Sequence, residues 1–331
     1  MVLTAGVLDM PQALAVVGEA LRLLAQGECR QPPKLVLREA DNAECEQRGR
    51  INGLCASVGM PARALGVKWI ASFPANRNLG LPRASAMIIL NSPRTGLPLA
   101  VMDGTLISAM RTGAVSGLGA QLLAPANTRK AAIIGAGVQA RTQALALATV
   151  LPHLEEIAIA ALRQESAERC AADCRMLCGA RMRPAASAGE AAADAGVVVT
   201  ATTAQQPVLL ARQVMPNALT IQIAGHECEF ALIRQCRKLV VDDWETIEHR
   251  GIMTPALMHA AGELDRSGVY ASLGELLLGR KPGRTEAAER IHFAHMGLGI
   301  EDIALAARIF ERAQAAGLGQ PMQLWKQPYW K

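Results

Sequence analysis

Lys130-Ala-Ala-Ile-Ile-Gly135-Ala-Gly137-Val138-Gln139-Ala140 is the stretch on which the fold turns. A β-branched run leads into Gly-x-Gly-x-x-Ala, and the Ala-rich segment Arg141–Val150 continues with a helical pattern. Gly135 suits the tight turn, Gly137 lets the backbone approach a pyrophosphate, and Ala140 is small enough for close helix–strand packing. Free amides at the start of the helix, around Val138 and Gln139, would face the phosphates. A purely structural glycine turn is the alternative. The strand–turn–helix context, with a second strand about 20 residues on, favours a dinucleotide site.

Working outward, short apolar runs at Lys130–Ile134, Glu156–Ala160, Gly196–Thr200, Thr220–Ile223 and Lys238–Val241 alternate with Ala-rich stretches. That rhythm predicts α/β architecture, a Rossmann-type doubly wound parallel sheet. Residues 1–115 read differently, with a helix at Pro11–Gln26, strands at Lys34–Arg38, Gly66–Ser72 and Ser85–Leu90, and a turn at Asn91–Gly96. We expect an α+β substrate or dimerisation domain over 1–115, completed by 303–331, and a dinucleotide-binding domain over 116–302. The helix Glu301–Ala316 should cross back onto the first domain.

The second strand ends Ile157-Ala-Ile-Ala160 and runs into Ala161-Leu162-Arg163, without the acid that normally binds a ribose 2′-hydroxyl. Arg163 suits a 2′-phosphate, pointing to NADP or to use of both cofactors; a solvated loop arginine fits equally well. Thr202 and Thr203, after the strand ending at Thr200, fall where a doubly wound sheet opens its ligand crevice.

With 331 residues the chain has room for about two domains. No apolar run approaches the ~20 residues that span a bilayer, so we expect no membrane association. The start lacks a basic leader and carries Asp9, which predicts a cytoplasmic protein. Eight cysteines then read as reduced thiols, with Cys170, Cys174 and Cys178 as buried or half-buried residues of one helix face rather than metal ligands. A net charge of +5 spread along the chain and 3% aromatic residues give nucleic-acid binding little support.

Several segments together resemble the ornithine cyclodeaminase/μ-crystallin family. They are Gln31-Pro32-Pro33-Lys34 with Arg38, Gly66-Val-Lys68-Trp-Ile-Ala-Ser72, Arg83-Ala-Ser85, Ile107-Ser-Ala-Met-Arg111-Thr112, the Gly135 loop, and Met296-Gly297-Leu298-Gly299-Ile300-Glu301-Asp302. Val240-Val241-Asp242-Asp243-Trp244, Leu273-Gly274-Glu275-Leu276 and Gly279–Arg284 favour a branch that cleaves N-(2-amino-2-carboxyethyl)-L-glutamate with NAD in siderophore pathways. The resemblance implies hydride loss from the α-carbon of the glutamate half and hydrolysis of the imine to 2-oxoglutarate and L-2,3-diaminopropionate. It also implies a homodimer and a small amino-acid substrate. A cyclodeaminase, another imine or amino-acid reductase, and a non-catalytic crystallin-like binding protein are the competing readings.

By the same resemblance Arg38, Lys68 and Arg111 hold substrate carboxylates, which suits a planar guanidinium and a point-charge ammonium. Lys68, flanked by Val67 and Trp69, would otherwise simply face water. The family's acid/base aspartate follows a strand; the matching stretch here, Gly225-His226-Glu227-Cys228, has none. Glu227 is the first candidate for that role and His226, which titrates near neutrality, the second. Thr112 and Met296 join the cofactor contacts, and Gly297 lets backbone approach nicotinamide or substrate. Glu301 and Asp302, in the first turn of a helix, read as dipole caps.

Overall fold

The computed structural model describes residues 6–38, 49–327 and 330; the first five residues of the leader reading lie outside them, as do parts of the expected first-domain segments. Helix α1 (Met10–Ala25) starts where Asp9 accepts a bond from the Gln12 amide and Pro11 occupies the first turn, a position at which a missing N–H is harmless. Strands β1 (Leu35–Leu37), β2 (Arg50–Val58), β3 (Ala64–Ser72), β4 (Ala84–Asn91) and β5 (Pro98–Asp103) form an antiparallel sheet in chain order. Helix α2 (Thr105–Leu123) follows without a break and packs on α1.

The second part runs β6 (Lys130–Ile134), α3 (Val138–Val150), β7 (Glu156–Ala160), α4 (Gln164–Arg175), β8 (Arg181–Ala185), α5 (Ala188–Ala192) and β9 (Val197–Thr200). It continues β10 (Leu219–Gln222), α6 (Phe230–Arg234), β11 (Lys238–Val241), α7 (Trp244–Arg250), α8 (Thr254–Ala260), β12 (Ala271–Ser272), α9 (Leu273–Leu277), β13 (Ile291–Ala294) and α10 (Gly299–Ala315). These strands form one eight-stranded parallel sheet in the order β12-β11-β13-β10-β9-β6-β7-β8. The expected Rossmann-type sheet and the separate antiparallel sheet are both present. The chain leaves β6 toward β7 and β8, then returns to β9 on the other side of β6, which is the topological switch point where such sheets take ligands.

The boundary expected at 115/116 falls inside α2, which packs on α3 as well as α1. Helix α10 packs on α1, β2 and β3, as anticipated for a segment crossing back. Cys170 and Cys174 are buried on α4 and Cys178 is half-buried, each in or against the apolar core. Among the described residues no helix is long and apolar enough to cross a membrane.

Candidate active site

Strand register places the site. Ile134 lies opposite Ala160 and Thr200, Thr200 opposite Gln222, Gln222 opposite Ala294, and Ala294 opposite Val241. The residues that follow, Gly135, Ala201, Ile223, His295 and Asp242, therefore line one carboxyl edge. At its centre Gly135 takes φ +125°, and a Cβ there would sit 2.3 Å from the Ala201 carbonyl oxygen, so no other residue fits. Gly137 is the opposite case: a Cβ would meet nothing within 4 Å, leaving open space at the first amides of α3. Val138 is exposed and Gln139 half-buried beside that space. The cradle fits a pyrophosphate, with Thr202 half-buried and Thr203 exposed across the switch point. Arg163 is exposed at the N-cap of α4, at the far end of β7, with no acidic residue beside it in the chain until Glu165.

The antiparallel sheet and the helix that follows it supply the cations. Lys68 is 1% exposed because alternation along β3 turns Ala64, Gly66 and Lys68 inward, so the alternative of a water-facing lysine is excluded. Its Nζ pairs with Asp302 and donates to Ser108 Oγ at 3.2 Å. Arg111, buried on α2, donates from Nε to Asp302 Oδ1 at 3.2 Å and from Nη1 to Glu301 Oε2 at 3.0 Å. One carboxylate thus bridges two cations that are 43 residues apart in sequence, and both acids come from the first turn of α10. The capping reading of this pair needs correction. Glu301 does accept the Leu298 amide at 3.1 Å, but Asp302 is wholly engaged with Lys68 and Arg111.

Gly297 is the hub of this arrangement. It has φ +80°, and a Cβ would lie 1.7 Å from Arg111 Nη1, so the glycine makes room for the guanidinium. Its amide and that of Met296 donate to Asp242 Oδ2, both at 2.8 Å, while its carbonyl accepts from Lys34 Nζ at 3.4 Å. Asp242 holds the loop through these bonds and a further one from the Asp243 amide. Burial and neighbouring charge tune the cluster. Burial, with repulsion from Lys68, Arg111 and Arg250, brings Lys34 down to about 7; burial and Arg111 bring Lys68 to about 8 despite Asp302. Burial raises Glu301 to about 7 and Asp242 to about 6. Burial opposes the charge of Arg111, but Asp302 and Glu301 more than offset it.

Glu227 does not open into the crevice. It is 0% exposed, and its carboxylate accepts from Thr200 Oγ1 at 3.0 Å, Thr202 N at 2.5 Å, Thr202 Oγ1 at 2.7 Å and the Ala224 amide at 3.0 Å. It ties the ends of β9 and β10 together, and burial raises its pKa. His226 is half-buried, its Nε2 has no hydrogen-bond partner, and burial lowers its pKa. Thr112 spends its hydroxyl on the Ser108 carbonyl at 2.7 Å within α2. Arg38 is half-buried just beyond β1, near Arg250. Sequence reasoning did not single out Lys34, Ser108, Asp242 or Arg250 for the site. The available signals were an aspartate closing a buried strand at Asp242 and a lysine after Pro32-Pro33.

A doubly wound sheet whose carboxyl edge faces buried cations defines the class: a dinucleotide-fold protein with a charged cluster at its ligand edge. The chain belongs to the ornithine cyclodeaminase/mu-crystallin family, whose model matches residues 3–317. It is similar to an alanine dehydrogenase of Archaeoglobus fulgidus, 33% identical over 96% of this chain and 95% of that one. It is also similar to an N-((2S)-2-amino-2-carboxyethyl)-L-glutamate dehydrogenase of Staphylococcus aureus, 32% identical over 93% and 91% of the two chains. Among solved structures, Thermococcus litoralis Δ1-pyrroline-2-carboxylate reductase in complex with NADH and L-proline superposes with a TM-score of 0.89 at 30% identity, covering 96% of this chain and 97% of that one. An archaeal alanine dehydrogenase dimer with bound NAD gives 0.85 at 31% identity, covering 97% of each chain.

Proposed function

We propose that this protein is an NAD-dependent oxidoreductase that cleaves N-((2S)-2-amino-2-carboxyethyl)-L-glutamate to L-2,3-diaminopropionate and 2-oxoglutarate, a reaction suited to siderophore synthesis. The observation that carries the reading is the convergence of Lys34, Lys68 and Arg111 around Gly297 at the carboxyl edge of the sheet. NAD is the cofactor we favour, because the two ligand-bound neighbours named above hold NADH and NAD; they lend the NADP suggestion from Arg163 no support. When bound, the nicotinamide accepts the hydride. The cradle at Gly135, Gly137, Val138 and Gln139 would hold its pyrophosphate, with Thr202, Thr203 and Met296 lining the crevice.

The protein's own groups do the rest. Lys34, Lys68 and Arg111 fix the carboxylate next to the reacting carbon, and Asp302 holds the last two in place. The substrate's amine proton passes to Thr202 Oγ1 as the hydroxyl proton moves 2.7 Å to Glu227 Oε1, a carboxylate made more basic by burial. Once that proton has left Glu227 for solvent, the same relay takes a proton from the water that attacks the imine carbon and returns it to the departing amine nitrogen. Thr202→Val and Glu227→Gln should therefore share one defect, a fall in turnover of roughly 10²–10⁴-fold with NADH binding retained, whereas His226→Gln should change it little. The reverse pattern would assign the proton to His226. Formation of NADH and 2-oxoglutarate from the named substrate tests the reaction itself. NADH from L-alanine alone would favour an alanine dehydrogenase, the reading supported by the 33% identical relative; NADH binding without turnover of any amino acid would leave a binding protein.

We also propose a homodimer. Leu35, Leu37, Trp69, Met87, Leu99 and Val101 are all exposed on the antiparallel sheet, with Trp69 42% and Met87 52% exposed. The register sets Leu35, Gly53, Trp69 and Met87 side by side across β1 to β4. A contiguous apolar face of this kind marks an interaction surface, and a second copy, self-complementary about a two-fold axis, is its occupant.

A further inference from the structure

Charge in the cleft is unevenly matched. Lys68 and Arg111 face Asp302 and Glu301, and Asp242 adds a third buried carboxylate whose charge acts on Lys34 and Arg111. Lys34 has the Gly297 carbonyl, at 3.4 Å, and Arg250 is paired with no carboxylate among the described residues. Arg250 ends α7, one turn after Thr246, which lines the mouth of the cleft together with Gln31, Lys34, Cys55 and Gly297. Residues four apart share a helix face, and Arg250 stands close enough to Lys34 for its charge to lower the lysine's pKa. Its Nε is buried and has no hydrogen-bond partner. Just beyond it, the Ile252 carbonyl lies 3.5 Å from the position a Cβ on Gly225 would occupy, which sets the end of α7 against the β10 loop of the crevice.

A carboxylate beside the reacting carbon, held by Lys34, Lys68 and Arg111, leaves Arg250 uncompensated. Burying a cation without an anion is costly, and since no carboxylate of the described residues meets Arg250, a ligand's carboxylate is a fitting partner. We infer that Arg250 binds a second carboxylate of the substrate, remote from the reacting carbon, and thereby selects dicarboxylic amino acids and their 2-oxo acids over monocarboxylic ones. Arg250 is brought down to about 10 by burial and by Arg50 and Arg38, and so keeps its charge at neutral pH. The inference rests on the cleft being the substrate site, as proposed above.

The test compares 2-oxoglutarate with 2-oxopentanoate, which differ only in carboxylate against methyl at the far end. Binding of each to the protein–NADH complex is measured by NADH fluorescence. The wild type should bind 2-oxoglutarate at least about tenfold more tightly, the scale of one charge-assisted hydrogen bond. Arg250→Met should remove most of that preference by weakening 2-oxoglutarate, and Arg250→Lys, a point charge without the fork, should keep part of it. An unchanged NADH dissociation constant reports that each variant is folded. Equal binding of the two acids by the wild type overturns the inference, and so does a preference that survives Arg250→Met. A preference that depends on Arg250 in a protein that fails to cleave N-((2S)-2-amino-2-carboxyethyl)-L-glutamate supports the subsite and removes the named substrate.

Discussion

A lysine 1% exposed on a β-strand and an arginine beside it on a helix are tolerable only while Asp302 stands between them. Removing one partner of a buried pair leaves an uncompensated charge, a loss of about 3–5 kcal/mol. Asp302→Asn should lower stability by that amount in urea denaturation; a change under about 1 kcal/mol would mean that the cations find other partners. Lys34 makes the cleft pH-sensitive in a definite direction. With its pKa near 7, the free cleft loses this charge as pH rises through neutrality, whereas a bound anion favours the protonated ammonium. Affinity of the NADH complex for 2-oxoglutarate should therefore fall between pH 7 and 9, by at most about tenfold per unit. Lys34→Arg should hold affinity level across that range, and a flat wild-type profile would remove Lys34 from the site. These charges were only partly legible in the sequence. Lys68 and Arg111 were named from a resemblance, but Glu301 and Asp302 obey the ordinary rule for helix starts, and nothing local distinguishes a cap from a buried counter-ion.

At the level of elements, β6, β7 and β11 were read to the residue because each is a short apolar run closed by a clear break. β8 and β13 were not. Arg181-Met-Arg183-Pro184-Ala185 carries two arginines and a proline, yet it forms the edge of the sheet, where a missing donor costs no ladder bond. Ile291-His292-Phe293-Ala294 has an imidazole in its middle, which is buried because Thr220 and Gln222 of β10 bond both ring nitrogens. Satisfaction of that kind is a tertiary fact. The start of α3 was legible and invites a direct experiment. Since a side chain at Gly137 meets only open space, Gly137→Val should leave thermal stability nearly unchanged while weakening NADH binding by at least tenfold, the branched chain lying where the pyrophosphate must go. Unaltered NADH affinity in the folded variant would place the cofactor elsewhere.

For the whole molecule, the exposed apolar face of the antiparallel sheet is the surface on which the proposed dimer is tested. Trp69→Lys with Met87→Lys should convert a dimer to a monomer in light scattering, by placing charges at the centre of the buried face. A monomeric wild type, or a dimer indifferent to both changes, would move the interface. The alternation along β3 and β4 that creates this face was visible in the sequence as strand pattern, but which face would stay uncovered depends on where α10 packs. The position of β13 has a consequence in time. β13, the last of the described strands in chain order, enters between β10 and β11, not at an edge, and the turn of helix that follows brings the acids that pair with Lys68 and Arg111. A ribosome releases Lys68 more than two hundred residues before Asp302. The nascent chain must therefore keep a slot in its sheet and two charged groups in water until β13 and the first turn of α10 have been made, so a chain stopped before residue 291 has no route to this cleft.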